Sequence, residues 1–238
     1  MSTEIRNKAG EIIDYTFHDV GSEKVVVIGH GVTGNKDRPL VLALAEGLAG
    51  AGISALRFSF SGNGDSEGTF LDSNITKELS DLTAVINFVE NLGKKVIYAG
   101  HSMGGAVGVS VASEDDRILG LVSLAGMVNT KKFAETEFGE VTPDDGLMWD
   151  DEDCPLSQSF MDDLVGIDTL LGKGELIKVP WLLVHGTEDD VVLIDDTNEI
   201  YEKAGEQRSK LIIDGADHVF SEPEHMKKMV DGVLEWLS

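Results

Sequence analysis

The sequence predicts an α/β protein built on one mostly parallel β-sheet with helices on both faces. Three observations carry this. Short β-rich runs alternate with longer helical runs along most of the chain. The β runs are near-continuously apolar, as in Lys24–His30 (K-V-V-V-I-G-H), which marks strands covered on both faces. The helical runs are one-sided, with apolar residues three and four positions apart. Strand then helix, repeated, is the pattern of crossover-connected parallel strands.

In order, Glu11–Phe17 reads as an early strand and Lys24–His30 as a buried one. Pro39–Ala49 places Leu40, Leu44 and Leu48 at four-residue spacing and is predicted helical. Ile53–Phe58 is the next strand. Ile75–Asn91 is a helix with Leu79, Leu82, Val85, Ile86 and Val89 on one side. Strand Val96–Ala99, helix Met103–Ala112 and strand Leu119–Ala125 follow. After a long middle segment come strand Trp181–Val184, helix Asp195–Ala204, strand Lys210–Ile213 and helix Glu224–Leu237. No repeat of about 20–50 residues is visible, which excludes a solenoid.

The middle segment, Met127 to Lys178, interrupts the alternation. From Phe133 to Asp163 it holds eleven acidic residues and no Lys or Arg. A structureless loop of that length is improbable in a compact domain, so it is expected to be folded or to act as a lid. The expected organisation is a core of residues 1–126 and 179–238 with an inserted lid at 127–178. Phe133, Phe138, Leu147, Met148, Trp149, Leu156, Phe160, Met161, Leu164 and Leu170 in this segment either line a pocket or anchor the insertion.

The chain of 238 residues carries 43 Asp and Glu against 19 Lys and Arg, a formal charge of −24. Nucleic-acid binding needs cationic surface to displace phosphate counterions, and docking on anionic lipid needs the same, so neither partner is expected. The single cysteine, Cys154, can form no internal disulfide and no cysteine-rich metal site. Met1 to Gly10 lacks the apolar core of a secretory signal, and no apolar stretch approaches the roughly 20 residues that span a bilayer. A cytoplasmic protein is the expectation. The pattern leaves monomer and homodimer both open.

Gly100-His101-Ser102-Met103-Gly104 fits G-x-S-x-G between a predicted strand and a predicted helix. A serine on so sharp a turn presents its hydroxyl at a helix N-terminus, where free N–H groups favour developing negative charge. Such a serine needs a general base. Of the six histidines, His30 and His185 stand at strand ends before Gly, His101 lies inside the turn, His18 near the first strand and His225 in a polar helix start. His218 follows strand Lys210–Ile213, at the end of a parallel strand where open α/β sheets bind ligands. A carboxylate should orient its imidazole. Asp189 follows strand Trp181–Val184, with Asp190 and Glu188 as alternatives that spacing does not exclude. The order Ser102, Asp189, His218 is the order of nucleophile-elbow hydrolases. His30-Gly31-Val32-Thr33-Gly34-Asn35 is a candidate oxyanion turn, with the N–H groups of Val32 and Met103 as donors. Gly62-Asn63-Gly64-Asp65-Ser66-Glu67-Gly68 is no phosphate loop, since it lacks a following Lys-Ser/Thr pair and carries carboxylates. Neither clustered metal-ligand spacing nor an EF-hand pattern around Asp150-Asp151-Glu152-Asp153 appears, so no metal and no cofactor is expected.

Taken together, His30-Gly31, Arg57-Phe58, Gly62-x-Gly64-Asp65-Ser66-Glu67-Gly68, Gly100-His101-Ser102-Met103-Gly104-Gly105, His185-Gly186-x-x-Asp189 and Gly215-Ala216-Asp217-His218 resemble the α/β-hydrolase superfamily. The resemblance is strongest to the bacterial cinnamoyl and feruloyl esterases and the related serine-aminopeptidase-type (S33-like) hydrolases. It implies an α/β-hydrolase fold with a small inserted lid. It also implies Ser102 as nucleophile, His218 as base, Asp189 as acid, and Val32 and Met103 as oxyanion donors. The implied activity is carboxylester hydrolysis of small to medium neutral esters, hydroxycinnamoyl esters among the candidates, through an acyl-enzyme. Amidase, peptidase and thioesterase chemistry use the same triad, and a non-catalytic binding protein on the same scaffold is the rival from another class. The chain departs from the cinnamoyl group at Val32, Ser59, Asn63 and Met103, positions where that group often has an aromatic, Asp, His and Gln. The departures spare the triad and leave the acyl and alcohol parts open. If the acidic stretch overhangs Ser102, its field should disfavour anionic substrates and favour release of a carboxylate product.

Overall fold

Val25, Val26, Val27 and Ile28 are fully buried because their strand has sheet neighbours on both sides and helices above and below. The computed structural model describes residues 4–238; the first three residues of the polar Met1–Gly10 stretch lie outside them. The strands are β1 (Ile5–Arg6), β2 (Ile12–Ile13), β3 (Tyr15–His18), β4 (Lys24–Gly29), β5 (Ser54–Phe58), β6 (Lys95–His101), β7 (Ile118–Leu124), β8 (Trp181–Gly186) and β9 (Arg208–Ile213). The helices are α1 (Pro39–Gly50), α2 (Ile75–Asn91), α3 (Met103–Ala112), α4 (Thr130–Phe138), α5 (Gln158–Ile167), α6 (Leu171–Gly174), α7 (Ile194–Lys203) and α8 (Pro223–Leu237). Seven strands form one sheet in the order β3-β5-β4-β6-β7-β8-β9, parallel except for β3, which runs antiparallel to β5. The expected early strand is split: β1 and β2 form a small antiparallel ribbon, and β3 begins only at Tyr15.

Two apolar layers hold the sheet. On one face Leu82, Val85, Ile86 and Val89 of α2 pack with Ala106 and Val107 of α3 and Ile200 of α7. On the other, Leu40, Leu44 and Leu48 of α1 meet Met229 and Val233 of α8. The four-residue leucine spacing that marks α1 is the stripe it buries. Asn74 caps α2, its side chain accepting from the Lys77 N–H at 2.8 Å.

Parallel register positions the site. Gly29 of β4 pairs with Gly100 of β6, His101 with Leu124 of β7, Leu124 with Val184 of β8, and Gly186 with Ile213 of β9. The five strands therefore end at one level, and the turns that follow β4, β6, β8 and β9 meet along one edge.

The middle segment is folded. It carries α4, a 3-10 turn at Met148–Asp150, α5 and α6. Its apolar residues mostly anchor it: Phe133, Phe138, Met148, Leu156, Phe160, Leu164 and Leu170 join the core on the α2 face. Ser157 caps α5 through the Phe160 N–H, and Asp163 accepts the Thr76 N–H at 3.1 Å, tying α5 to the start of α2. At its beginning, the buried Asp196 carboxylate accepts the N–H groups of Val128 and Asn129 at 2.7 and 2.9 Å. Cys154 is buried here, and burial pushes its thiol up to about 11, which keeps it protonated and unreactive at neutral pH. Among the described residues no helix is long and apolar enough to cross a membrane.

Candidate active site

Ser102 sits between β6 and α3 with φ 52° and ψ −119°, a conformation that costs a non-glycine residue energy. The flanking glycines explain how the chain tolerates it. A Cβ on Gly100 would lie 2.2 Å from the Gly104 carbonyl oxygen, and a Cβ on Gly104 would lie 2.4 Å from the His30 carbonyl oxygen. Only bare backbone lets the strand, the turn and the helix approach so closely.

The two predicted oxyanion donors are oriented by the carbonyl at the other end of their own peptide unit. The Gly31 carbonyl accepts from His30 Nδ1 at 2.7 Å and from the Gly34 N–H at 3.0 Å. Because a trans peptide points its N–H opposite to its C=O, the Val32 N–H faces the other way. The Ser102 carbonyl likewise accepts the N–H groups of Gly105 at 2.9 Å and Met127 at 3.1 Å, which turns the Met103 N–H outward. Among the described residues neither the Val32 nor the Met103 N–H has an acceptor. The turn lies hard against the serine: a Cβ on Gly31 would stand 2.8 Å from Ser102 Cβ.

His218 Nδ1 donates to Asp189 Oδ2 at 2.8 Å. Asp189 is buried, whereas Glu188 and Asp190 are exposed, so of the three carboxylates considered only Asp189 reaches the imidazole. Its Oδ1 accepts the N–H groups of Val191 and Val192 at 3.0 and 2.9 Å, and His185 Nε2 lies 3.1 Å from its Oδ2. Burial alone would raise its pKa. The hydrogen bonds from His185 and His218, the charge of His218 and the Val192 N–H outweigh that and hold it well below the usual carboxylate range. Ser102 and His218 line one cavity of about 620 Å³. Among the described residues no hydrogen bond reaches Ser102 Oγ, so the base-to-acid link is formed and the nucleophile-to-base link is not.

His30, His101, His185 and His18 have structural partners. His30 Nε2 accepts the Phe60 N–H at 3.0 Å, so both ring nitrogens are engaged, and burial lowers its pKa to about 4. His101 donates from Nε2 to the His218 carbonyl at 2.9 Å and fixes the backbone of the predicted base. Burial first, and the charge of His218 second, lower its pKa to about 3. His185 is tied to Thr197 Oγ1 and to the Val192 carbonyl, both at 2.8 Å. His18 accepts from Arg57 Nε at 3.2 Å.

The cavity lining decides between the alternatives left open for the middle segment. Of the ten apolar residues in the middle segment, only Trp149 lines it. Among the described residues no carboxylate lines it, and the one formally charged wall residue is a cation, Arg38. The carboxylates of the acidic stretch are mostly exposed and supply none of the lining; Asp151 and Asp153 act on the same buried Cys154 thiol as Arg38 does, so they stand near the cavity without forming its wall. Arg38 had no motif to announce it. The one available signal was a cation at the start of a predicted helix, where the helix dipole disfavours it.

Residues 21–143 match the family model described as serine aminopeptidase, S33. The uncharacterized protein YfhR of Salmonella typhi is 25% identical over 205 residues, which is 82% of this chain and 64% of that protein. The chain thus spans a little under two thirds of that relative's length. The uncharacterized protein Rv2307c of Mycobacterium tuberculosis is 23% identical over 222 residues, 92% of this chain and 71% of its own. Among solved structures, Est1E from Butyrivibrio proteoclasticus with ferulic acid bound superposes with a TM-score of 0.86 at 24% identity, covering 99% of this chain and 98% of that one. The Pyrococcus furiosus esterase Pf2001 superposes with a TM-score of 0.77 at 23% identity, covering 100% and 89%. At these identities the structural likeness is one of fold, and the fold is that of the α/β hydrolases.

Proposed function

Because the chain belongs to the serine aminopeptidase S33 family, we propose that it is a serine hydrolase that cleaves small to medium carboxylic esters through an acyl-enzyme. The observation that carries this reading is the shared cavity. Ser102, on its strained turn, and His218, already bonded to Asp189, face the same space.

Ser102 Oγ attacks the substrate carbonyl while His218 Nε2 takes its proton. Asp189 keeps the imidazole proton on Nδ1, leaving Nε2 free to accept, and stabilises the imidazolium that forms. The carbonyl oxygen, now bearing negative charge, lies against the Val32 and Met103 N–H groups; losing one such donor costs about 10²–10³ in turnover. His218 then returns the proton to the leaving alkoxide, and water repeats the cycle on the acyl group. Residues 127–178 act in this reading as a lid that reaches the cavity through Trp149.

Carboxylic esters are favoured as substrates because one structural neighbour is an esterase and another holds ferulic acid. The family description favours a second reading, cleavage of an amide at an amino-terminal residue by the same groups. Turnover of p-nitrophenyl butyrate, an aminoacyl p-nitroanilide and an acyl thioester by wild type and Ser102→Ala separates them. Ester turnover that is lost in Ser102→Ala supports the proposal. Faster anilide turnover selects the peptidase reading, and equal background rates in both proteins contradict hydrolysis altogether.

A further inference from the structure

Arg38 is an anomaly on three counts. It occupies the N-cap of α1, makes no capping hydrogen bond, and stands at the positive end of the helix dipole, where a cation lowers stability. In a chain with 43 acidic residues, its guanidinium has no carboxylate within ion-pair distance among the described residues. Its neighbours do: Lys36 lies 3.2 Å from Asp14 and 2.8 Å from Asp37, and Arg57 pairs with Asp37. Finally, among the described residues it is the one formally charged residue on the wall of the cavity that Ser102 and His218 share.

The guanidinium is nonetheless held in place. Its Nη2 donates to the Thr33 carbonyl at 2.8 Å, which ties it to the loop that carries the Val32 N–H. Arginine has five N–H donors, so most of the fork stays free for a planar acceptor. Its charge is felt inside the site, contributing to the lowered pKa of His30. The wall beside it is apolar, with Pro39, Leu40, Val41, Val219 and Met226. Arg38 is exposed and its bond to Thr33 uses one donor, which leaves an unpaired positive charge beside apolar residues on the rim of a cavity whose other polar lining is neutral or titratable.

We propose that Arg38 is a specificity residue that pairs with a carboxylate carried by the substrate, so that the preferred substrates are esters with an aliphatic body and a free carboxylate remote from the scissile bond. This deepens the ester-hydrolase reading and rests on it. The apolar wall takes the aliphatic body, the guanidinium takes the remote carboxylate, and the scissile carbonyl lies at Ser102. Hydrolysis breaks the acyl C–O bond and consumes one water, leaving an alcohol and a second carboxylate. No further reactant is needed.

The test compares mono-p-nitrophenyl glutarate, which is anionic, with p-nitrophenyl butyrate, which is neutral. The readout is the ratio of their kcat/KM values in wild type, Arg38→Ala and Arg38→Lys. The expected ratio falls about tenfold in Arg38→Ala, mainly through KM, and less in Arg38→Lys, which keeps the charge but loses the fork. A ratio unchanged within about twofold in Arg38→Ala overturns the proposal. Binding separates this failure from failure of the hydrolase reading. Calorimetric titration of monomethyl adipate into Ser102→Ala and into Ser102→Ala/Arg38→Ala needs no turnover. About tenfold weaker binding in the double variant supports the carboxylate contact even if every ester is inert, and equal affinity overturns it.

Discussion

Replacing Asp189 by Asn removes one charge and exchanges one acceptor for a donor at a buried, fully hydrogen-bonded position. Asn Oδ1 can keep the Val191 and Val192 N–H groups that Asp189 Oδ1 accepts at 3.0 and 2.9 Å. The amide nitrogen then faces two imidazole nitrogens, His218 Nδ1 at 2.8 Å and His185 Nε2 at 3.1 Å. His185 has the Val192 carbonyl as a second acceptor and stays satisfied. His218 does not. It must take the tautomer with the proton on Nε2, which cannot accept the Ser102 proton. The lost imidazolium stabilisation alone is about 4 kcal/mol for unit charges about 4 Å apart at an effective dielectric of about 20. At about 1.36 kcal/mol per tenfold, that is about 10³ in rate, and the wrong tautomer extends the loss toward about 10⁴. The assay is kcat for p-nitrophenyl butyrate in wild type and Asp189→Asn, with circular dichroism to show both folded. A loss smaller than about tenfold in a folded variant would refute the assignment of Asp189 and the reasoning from its hydrogen bonds.

Gly31→Ala places a methyl 2.8 Å from Ser102 Cβ and 3.1 Å from His101 Nδ1, so turnover should fall about 10² or more while the melting temperature moves by only a few degrees. A fully active Gly31→Ala would mean that the turn does not abut the serine as described. His30 is neutral in the fold down to about pH 4, but its unfolded value is 6.5. Its contribution is therefore complete above pH 6.5 and is lost as pH falls toward 4, about 3 kcal/mol in all. Denaturant titrations should show wild type losing that much relative to His30→Gln over this window; parallel curves would contradict it. Glu78 has the opposite sign. Burial, then the charge of Asp81, raise its pKa well above the usual value, and its Oε2 has no partner among the described residues. Its favourable contribution is present at low pH and lost as pH rises, so Glu78→Gln should gain stability over wild type at pH 8 and little at pH 4. A constant difference between the two pH values would contradict it.

The sheet and its helices were legible because periodicity reports burial, and burial decides these elements. Ile75–Asn91 and Met103–Ala112 keep the bounds their apolar pattern predicts. The middle segment was not legible. Phe133, Phe138 and Phe160 sit among acids in short helices, and no local pattern says whether an aromatic faces a cavity or a core. The candidate site was legible where chemistry needs particular residues in order, as for Ser102, Asp189 and His218. It was opaque where the work is done by position. His30 reads as a spare histidine until its Nδ1 is seen to hold the Gly31 carbonyl. His101 reads as the variable residue of a turn until its ring is seen to carry the His218 backbone. Arg38 becomes visible only as the lone cation on a wall, because composition counts charges and cannot say which are paired. The total of −24 therefore says nothing of Arg38, a positive charge on the cavity wall.

In the proposed mechanism Ser102 is a nucleophile activated by its turn and by His218. A fluorophosphonate probe reads this directly, because it forms a covalent adduct only with an activated serine. Intact-mass spectrometry of the labelled protein should show one adduct per chain in wild type, mapped by peptide digestion to Ser102. His218→Ala should label far more slowly, and Ser102→Ala should not label. Undiminished labelling of Ser102→Ala, or an adduct mapped to another residue, would contradict the account.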